Sequence, residues 1–519
     1  MDLSKELNLV LAWKRYKRDL QDMAFCDHPY ETKIIDNNLE DWVSKLQTKL
    51  QNYDPSRCEI VNVPKKGFHL RPGSILTPAD ATIYHALLLK ELSKIQKELL
   101  WSAVRERCSY ILTEDQTTTN LFVNEYKGWS RFRETSLSYI DKGYEWVVFA
   151  DISGYFENIS IQRLISDLRA FGLTEEILKY LSKCLNRWAE PRSRGIPQGN
   201  RCSFILGEVY LNSIDKRLKN NKLEYCRYVD DIRIFCKSKG EAISALHGLT
   251  ILLREKELNL QTTKSYIKNG KEAREIIDNV SSIIQATNDK LIFELKELLM
   301  HEMEYATPLY IEKGLASIGE DIYEFEVVHE IFDEYIKKKG MEFDKTIFHY
   351  CINRLAAARD NYGIEHCMSI ILDRPEEFIN IIPYFNKLVD DRARIIESLI
   401  QYFVDNKNVL DRQYFLLLRW IYNEKCFTEK VVNLCRDLSV RSGLDNYTKY
   451  YAWAILGECG DSADLDSIES GYNKANDELG KATIICAIKR MVEDRRNSVY
   501  SRAMGDGDLV KYAIKASKN

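Results

Sequence analysis

Hydrophobic positions recur along this chain with two periods, and the place where one gives way to the other divides it. Trp146-Val147-Val148-Phe149-Ala150 is an unbroken apolar run rich in β-branched and aromatic residues, the pattern of a short buried strand. Ser160 then precedes an apolar stripe of Ile161, Leu164, Ile165 and Leu168 at helical spacing, closed by Gly172, which predicts a capped helix. Another helix is expected after Cys202, where Leu206, Tyr210, Ile214 and Leu218 fall on one face. Residues 225–237 read as two short strands around an acidic turn. From about residue 290 the texture turns helical, beginning with Ile292, Leu295, Leu298 and Leu299, and no proline occurs in the last 136 residues. Ala452-Trp453-Ala454-Ile455-Leu456 and Ala482-Thr483-Ile484-Ile485-Cys486 stand 30 residues apart, like successive first helices of a HEAT-like helix-pair repeat. Residues 269–290 are therefore a plausible boundary between a mixed α and β domain, 1–285, and an all-α domain, 286–519.

Composition narrows the class. The 519 residues are 45% hydrophobic and 29% charged, the balance of a soluble globular protein with length for two to four domains. No run of 18 apolar residues exists, and Met1-Asp2-Leu3-Ser4-Lys5-Glu6 lacks the basic flank and apolar core of a signal peptide, so a membrane partner and secretion are not expected. Thirteen cysteines, an odd number without one C-x-x-C pair, disfavour a disulfide framework or a structural zinc site and suit a reducing cytosol. The net charge of −4 hides an asymmetry: residues 1–290 carry 44 Lys+Arg against 39 Asp+Glu, and the remainder 30 against 39. A nucleic-acid footprint belongs in the first part, on a weak positive excess that a mixed solvated surface would also give.

Three local patterns carry chemistry. Tyr228-Val229-Asp230-Asp231 places two adjacent acids at the tip of the expected hairpin, where a structural turn would favour Asn-Gly or Asp-Gly. Paired carboxylates with a third acid nearby suit Mg2+, a hard cation that bridges phosphates. Asp151, at the end of the apolar strand, supplies that third acid, although an aspartate before a helix is by itself more often a cap. Gly195-Ile196-Pro197-Gln198-Gly199 is a glycine-bracketed turn that lets backbone approach a planar ligand; alone it reads as a loop.

In order, Lys65-Lys66 with Leu70-Arg71-Pro72, Asp151-Ile152-x-x-Tyr155-Phe156-Glu157-x-Ile159, Pro197-Gln198-Gly199, Tyr228-x-Asp230-Asp231, and Leu258-Asn259 followed by Lys264 resemble the ordered motifs of reverse transcriptases. They cover residues 60–268, roughly half the chain. The resemblance implies an α+β polymerase right hand, fingers and palm, ahead of the all-α, HEAT-like region. It implies that Asp151, the adjoining Ile152, Asp230 and Asp231 hold two Mg2+ ions, with Mn2+ as a substitute. It makes Asp151, Asp230, Asp231 and Lys264 catalytic, Lys264 as a general acid. Lys65 and Arg71 would hold the triphosphate, Gln198 and Gly199 would line the nucleotide pocket, and Phe156 would be the steric gate against a ribose 2′-hydroxyl. For Lys65, Lys66 and Lys264 a solvated surface lysine is nearly as natural a reading.

The chain also departs from that pattern. Asn200-Arg201-Cys202-Ser203-Phe204 follows Pro-Gln-Gly where most of the family has Ser-Pro-Leu-Ser-Pro, which predicts unusual primer or template handling near this loop. No RNase H, His-Asn-His nuclease or zinc-ribbon pattern is evident, and an acidic helical region stands where a basic, duplex-gripping thumb is expected. A reverse transcriptase joined to a long all-α region resembles the abortive-infection (Abi) and related defence-associated bacterial enzymes. That resemblance implies a cytoplasmic, bacterial or prophage-encoded homo-oligomer that makes single-stranded DNA from deoxynucleoside triphosphates. Synthesis would be primed on a tyrosine, which stays attached to the product, and would need no template. Among the 30 tyrosines, Tyr16, Tyr30 and Tyr53 of the polar N-terminal segment are candidate primers. The alternatives are a templated, retron-like enzyme copying a specific RNA, and a scaffold whose palm is vestigial.

Overall fold

A computed structural model of the protein describes residues 3–22, 27–99, 106–113, 115, 117–123, 127–278, 327–337, 343–475 and 477–518. The expected helix start at Ile292–Leu299 and the boundary at 285 lie outside these residues. The chain divides into two compact units, one of residues 1–63, 71–277 and 445–519 and one of residues 64–70 and 278–444.

The first unit is built on a four-stranded antiparallel sheet. Its strands are β3 (Trp146–Asp151), β4 (Glu224–Tyr228), β5 (Asp231–Cys236) and β6 (Tyr266–Asn269), in the order β4-β5-β3-β6. The apolar run at 146–150 is the strand the sequence predicts, and it is central because Val147, Val148 and Ala150 are buried from both sides. Side chains on directly paired residues point to one face. One face therefore carries Val147, Phe149, Phe235 and Cys226, which join Phe132 and Tyr139 of the helix Gly128–Asp141 and Ala273 and Ile277 of the helix Gly270–Ile277 in one apolar cluster. The helix Ile161–Ala170 begins after Ser160 and is followed by Gly172 in the left-handed region, as its stripe predicts. The helix Arg201–Asn220 starts one residue before Cys202, because the Asn200 side chain caps it by accepting from Cys202 N.

Ahead of the sheet, β1 (Glu59–Lys65) and β2 (His69–Ile75) form a separate hairpin, followed by the long buried helix Pro78–Leu99. The helices Asn446–Cys459, Ser462–Ser470, Glu478–Ala487, Glu493–Ala503 and Asp508–Lys518 complete this unit. They pack on the N-terminal helices: Tyr451 donates to Asp27 at 2.8 Å, Tyr512 to Asp41 at 2.6 Å, and Lys45 pairs with Asp508 at 2.9 Å. The last 75 residues thus group with the sheet-bearing part, whereas a division at 285 would place them in the second domain. Sequence patterning missed this because a docked helix face and a repeat-stacking face carry the same apolar stripe.

The second unit is helical in its described residues 327–337 and 343–444, with helices at Lys345–Ala358, Ile364–Ile370, Phe378–Lys387, Arg392–Asp405, Asp411–Glu424 and Glu429–Val440. No helix among the described residues is long and apolar enough to cross a membrane.

Candidate active site

The acidic turn joins β4 to β5 as a two-residue hairpin: Tyr228 pairs with Asp231, and Val229-Asp230 forms the tip. Val229 has φ +54°, a left-handed conformation costly for a β-branched residue, at the first central position where primed hairpin turns require it. The strain is held by fixed partners. The Val229 N–H donates to Ser109 Oγ at 2.9 Å, and its carbonyl accepts from Arg227 Nη1 at 2.9 Å. Arg227, 1% exposed, also donates to Glu208 at 2.8 Å and to Asp215 at 2.6 Å, while Ser109 donates to Glu208 at 2.7 Å. A buried, charge-compensated network therefore lies under the turn. No local pattern marks Ser109, Glu208 or Asp215 for this role, because they come from distant segments. Arg227 abuts the motif and could have been suspected.

In β3, Asp151 is the direct partner of Asp231, so the first and last acids of the motif set face each other across the central strand pair. The strand end is fixed from the other side by the later motif. Asp151 O accepts from Gln261 N, Ser153 N donates to Asn259 O, and Ile152 bridges Leu260. That pairing carries Lys264 to the site, where its ammonium donates to Asp151 Oδ1 at 3.1 Å. Burial and the neighbouring Asp230 and Asp151 push the Asp231 carboxyl up to about 7. Burial and Asp151 also raise Asp230, against the opposing pull of Lys264 and Arg71.

Three hard-oxygen donors that repel one another fit a divalent cation. Among the described residues no three acidic, histidine or cysteine side chains are arranged to hold a metal ion by themselves. Mg2+ needs no such set, since it keeps waters and takes substrate phosphates as ligands. Ile152 is buried to 1%, so it could contribute only its main-chain carbonyl.

The glycine-bracketed loop closes against the segment after Asp151. Gly195 N donates to Ile159 O at 2.8 Å and Ile196 N to Phe156 O at 3.0 Å. Gly195 has φ +95°, and a Cβ there would stand 3.1 Å from the Glu157 carbonyl oxygen, so glycine is needed twice over. Gln198 O accepts from Ser74 N of β2, and Gln198 Oε1 is buried without a partner. The loop that carries Gln198 and Gly199 is thus tied to the Phe156 segment through Ile196 and to β2 through Gln198. Phe156 lies among Tyr155 and Phe204, over Gly207, where a Cβ would approach its ring to 3.3 Å.

The departure at Asn200-Arg201 has a structural counterpart. Asp19, on the helix Leu9–Asp22, accepts from Arg201 N at 3.2 Å, Arg201 Nη1 at 3.0 Å and His85 Nε2 at 3.1 Å, all buried. The N-terminal helix anchors the loop's exit. Arg71, exposed on β2, is close enough to act on Asp230, whereas Lys65 falls in the hairpin stretch 64–70 that groups with the second unit.

The three candidate priming tyrosines are not displayed for chemistry. Tyr16 and Tyr30 are 6% exposed and Tyr53 8%. Tyr16 is hydrogen-bonded to Glu31 and Tyr53 donates to Asp80, with burial pushing both phenols far up. Their polar sequence surroundings concealed that Tyr16 packs against His85 and that Tyr53 bonds Asp80, both of the long buried helix Pro78–Leu99.

Residues 63–304 match the reverse transcriptase (RNA-dependent DNA polymerase) family, and the chain therefore carries a reverse-transcriptase domain. Protein YkfC of Escherichia coli is 24% identical over 240 residues, 38% of this chain and 58% of that protein. An uncharacterized 91 kDa protein in cob intron of Schizosaccharomyces pombe is 23% identical over 252 residues, 43% of this chain and 29% of that protein. The chain thus spans a little over half of the first relative and under a third of the second. Among solved structures, telomerase from Candida albicans with a fragment of telomeric RNA is 12% identical at TM-score 0.32, covering 73% of this chain and 67% of that one. Apo telomerase from Candida tropicalis is 8% identical at TM-score 0.32, covering 92% and 74%.

Proposed function

We propose that the protein is a Mg2+-dependent DNA polymerase of the reverse-transcriptase type. The observation that carries this reading is the direct pairing of Asp151 with Asp231, beside Asp230 on its strained turn and with Lys264 hydrogen-bonded to Asp151. Asp151, Asp230 and Asp231, with the Ile152 carbonyl, would hold two Mg2+ ions, or Mn2+ in their place. Such ions neutralise the triphosphate and make the attacking hydroxyl more acidic. The protein's own groups do the rest. Lys264 can deliver a proton to the departing pyrophosphate, and Arg71 supplies positive charge to the triphosphate. Gln198 and Gly199 seat the nucleotide, and the Phe156 ring selects a deoxyribose.

The finer reading is a template-independent enzyme, primed on a protein tyrosine, that forms homo-oligomers and acts in abortive infection in the bacterial cytoplasm. Its support is the likeness to the Abi group, with the helices after residue 345 read as a HEAT-like array. The priming hydroxyl is then sought beyond Tyr16, Tyr30 and Tyr53.

The test is incubation of purified protein with Mg2+ and each labelled deoxynucleotide, without template, followed by denaturing gels with and without protease. Label that travels with the protein until protease releases it supports priming on protein. Label that appears only with RNA template and primer favours a templated enzyme. The Asp230→Ala, Asp231→Ala double variant should make no DNA. Full protection of cells by that variant, with no synthesis by the wild type, would leave a scaffold.

A further inference from the structure

The row of side chains that carries the carboxylates continues past them. Tyr228, Asp231 and Asp151 are successive partners across β4, β5 and β3, so their side chains share one face of the sheet. On that face the helix Gly128–Asp141 covers the two rows behind: Tyr139 stacks on Phe235, and Phe132 lies 4.0 Å under the Arg233 guanidinium. The helix ends there. Its first turn brings Trp129 edge-on to Tyr228, ring centroids 5.3 Å apart, and leaves the indole 47% exposed. Contacts with Tyr228 and Phe132 orient the ring, and about half of the residue stays exposed at the Tyr228 end of the row that carries Asp231 and Asp151. An open aromatic face is a ready platform on which a nucleobase can stack. The group that must lie beside the carboxylates in a polymerase is the 3′ end of the strand being extended, whose terminal base has two apolar faces.

We propose that Trp129, backed by Tyr228, is a stacking surface for the nucleobase at the 3′ end of the growing strand. The proposal rests on the polymerase reading. Stacking on an indole is indifferent to base identity, so the surface would hold any 3′-terminal nucleotide in register with Asp151 and Asp231.

The test is binding of a fluorescent single-stranded oligodeoxynucleotide by the full chain in Mg2+, read by anisotropy without nucleotides. Trp129→Ala should weaken binding by about 5- to 100-fold, the range seen for loss of one base–aromatic stack, and Trp129→Phe should restore most of it. An oligonucleotide whose 3′-terminal nucleotide lacks its base should bind wild type as weakly as Trp129→Ala does, and the two changes together should cost no more than either alone. Full additivity, or affinity within twofold of wild type for Trp129→Ala, would overturn the proposal. A Trp129→Ala protein that melts well below Trp129→Phe would be compared by this coupling alone, which a purely structural role does not produce. Binding that depends on Trp129 in a protein that extends nothing would sink the polymerase reading and leave the stacking surface standing.

Discussion

Asp231 sits in an environment that opposes its own charge: half-buried, opposite Asp151 and next to Asp230. Its carboxyl is held near 7, above the ordinary carboxylate range, so the folded protein takes up a proton there that the unfolded chain does not. The resulting penalty is fully present above pH 7 and is relieved as pH falls toward the usual carboxylate range. The metal-free protein should therefore lose stability as pH rises through this window. Asp231→Asn should raise the melting temperature at pH 8 by a few degrees and by clearly less at pH 5. Mg2+ should likewise stabilise wild type more at pH 8 than at pH 5. Scanning calorimetry at the two pH values checks both, and equal shifts at both would refute the electrostatic account.

At the scale of elements, the hairpin and the nucleotide loop are each positioned by groups far away in the chain. Removing Arg227 would strand Glu208 and Asp215 as buried charges, so Arg227→Met should cost about 3–5 kcal/mol in urea unfolding. Ser109→Ala is milder, about 1 kcal/mol, but it frees the Val229 N–H and should lower turnover more than it raises the nucleotide KM. A turnover equal to wild type in that variant would show that the turn needs no such brace. Asp19→Asn removes the charge on which Arg201 and His85 converge at the loop's exit. It should raise the nucleotide KM about tenfold, equivalent to about 1.4 kcal/mol, while leaving the pH dependence set by Asp231 in place. Steady-state kinetics at two pH values separates these effects.

For the whole molecule, the first unit takes in both ends of the chain. Tyr451 and Thr483 contact Asp27 and His28, just ahead of the helix Glu31–Asp36, and Asp508 and Tyr512 contact Lys45 and Asp41 on the helix Leu39–Leu50. His28 is fully covered there, and burial holds its imidazole neutral, down to about 3. A fragment of residues 1–285, the natural cut from the sequence, should expose this surface and either aggregate or melt far below the full chain. Adding residues 445–519 as a separate polypeptide should restore solubility. A soluble, cooperatively melting 1–285 fragment would contradict that arrangement.

Much of the palm was legible in the chain. Trp146–Ala150 reads as a buried strand, and the two pieces around Asp230-Asp231 as a hairpin, because strand patterning and an acidic tip are local properties. The motif order then selected Asp151, Phe156, Gln198, Gly199 and Lys264, and the structure brings these residues to the sheet end and the loop that closes on it. Pairing across space is not local. That Asp151 faces Asp231, that Ser109 braces Val229, that Asp19 holds Arg201, and that the final helices belong with the first residues all depend on contacts between segments up to several hundred residues apart. A hydrophobic stripe tells a helix to bury one face, but only the folded chain decides against which partner, and the same ambiguity hid the burial of Tyr16, Tyr30 and Tyr53.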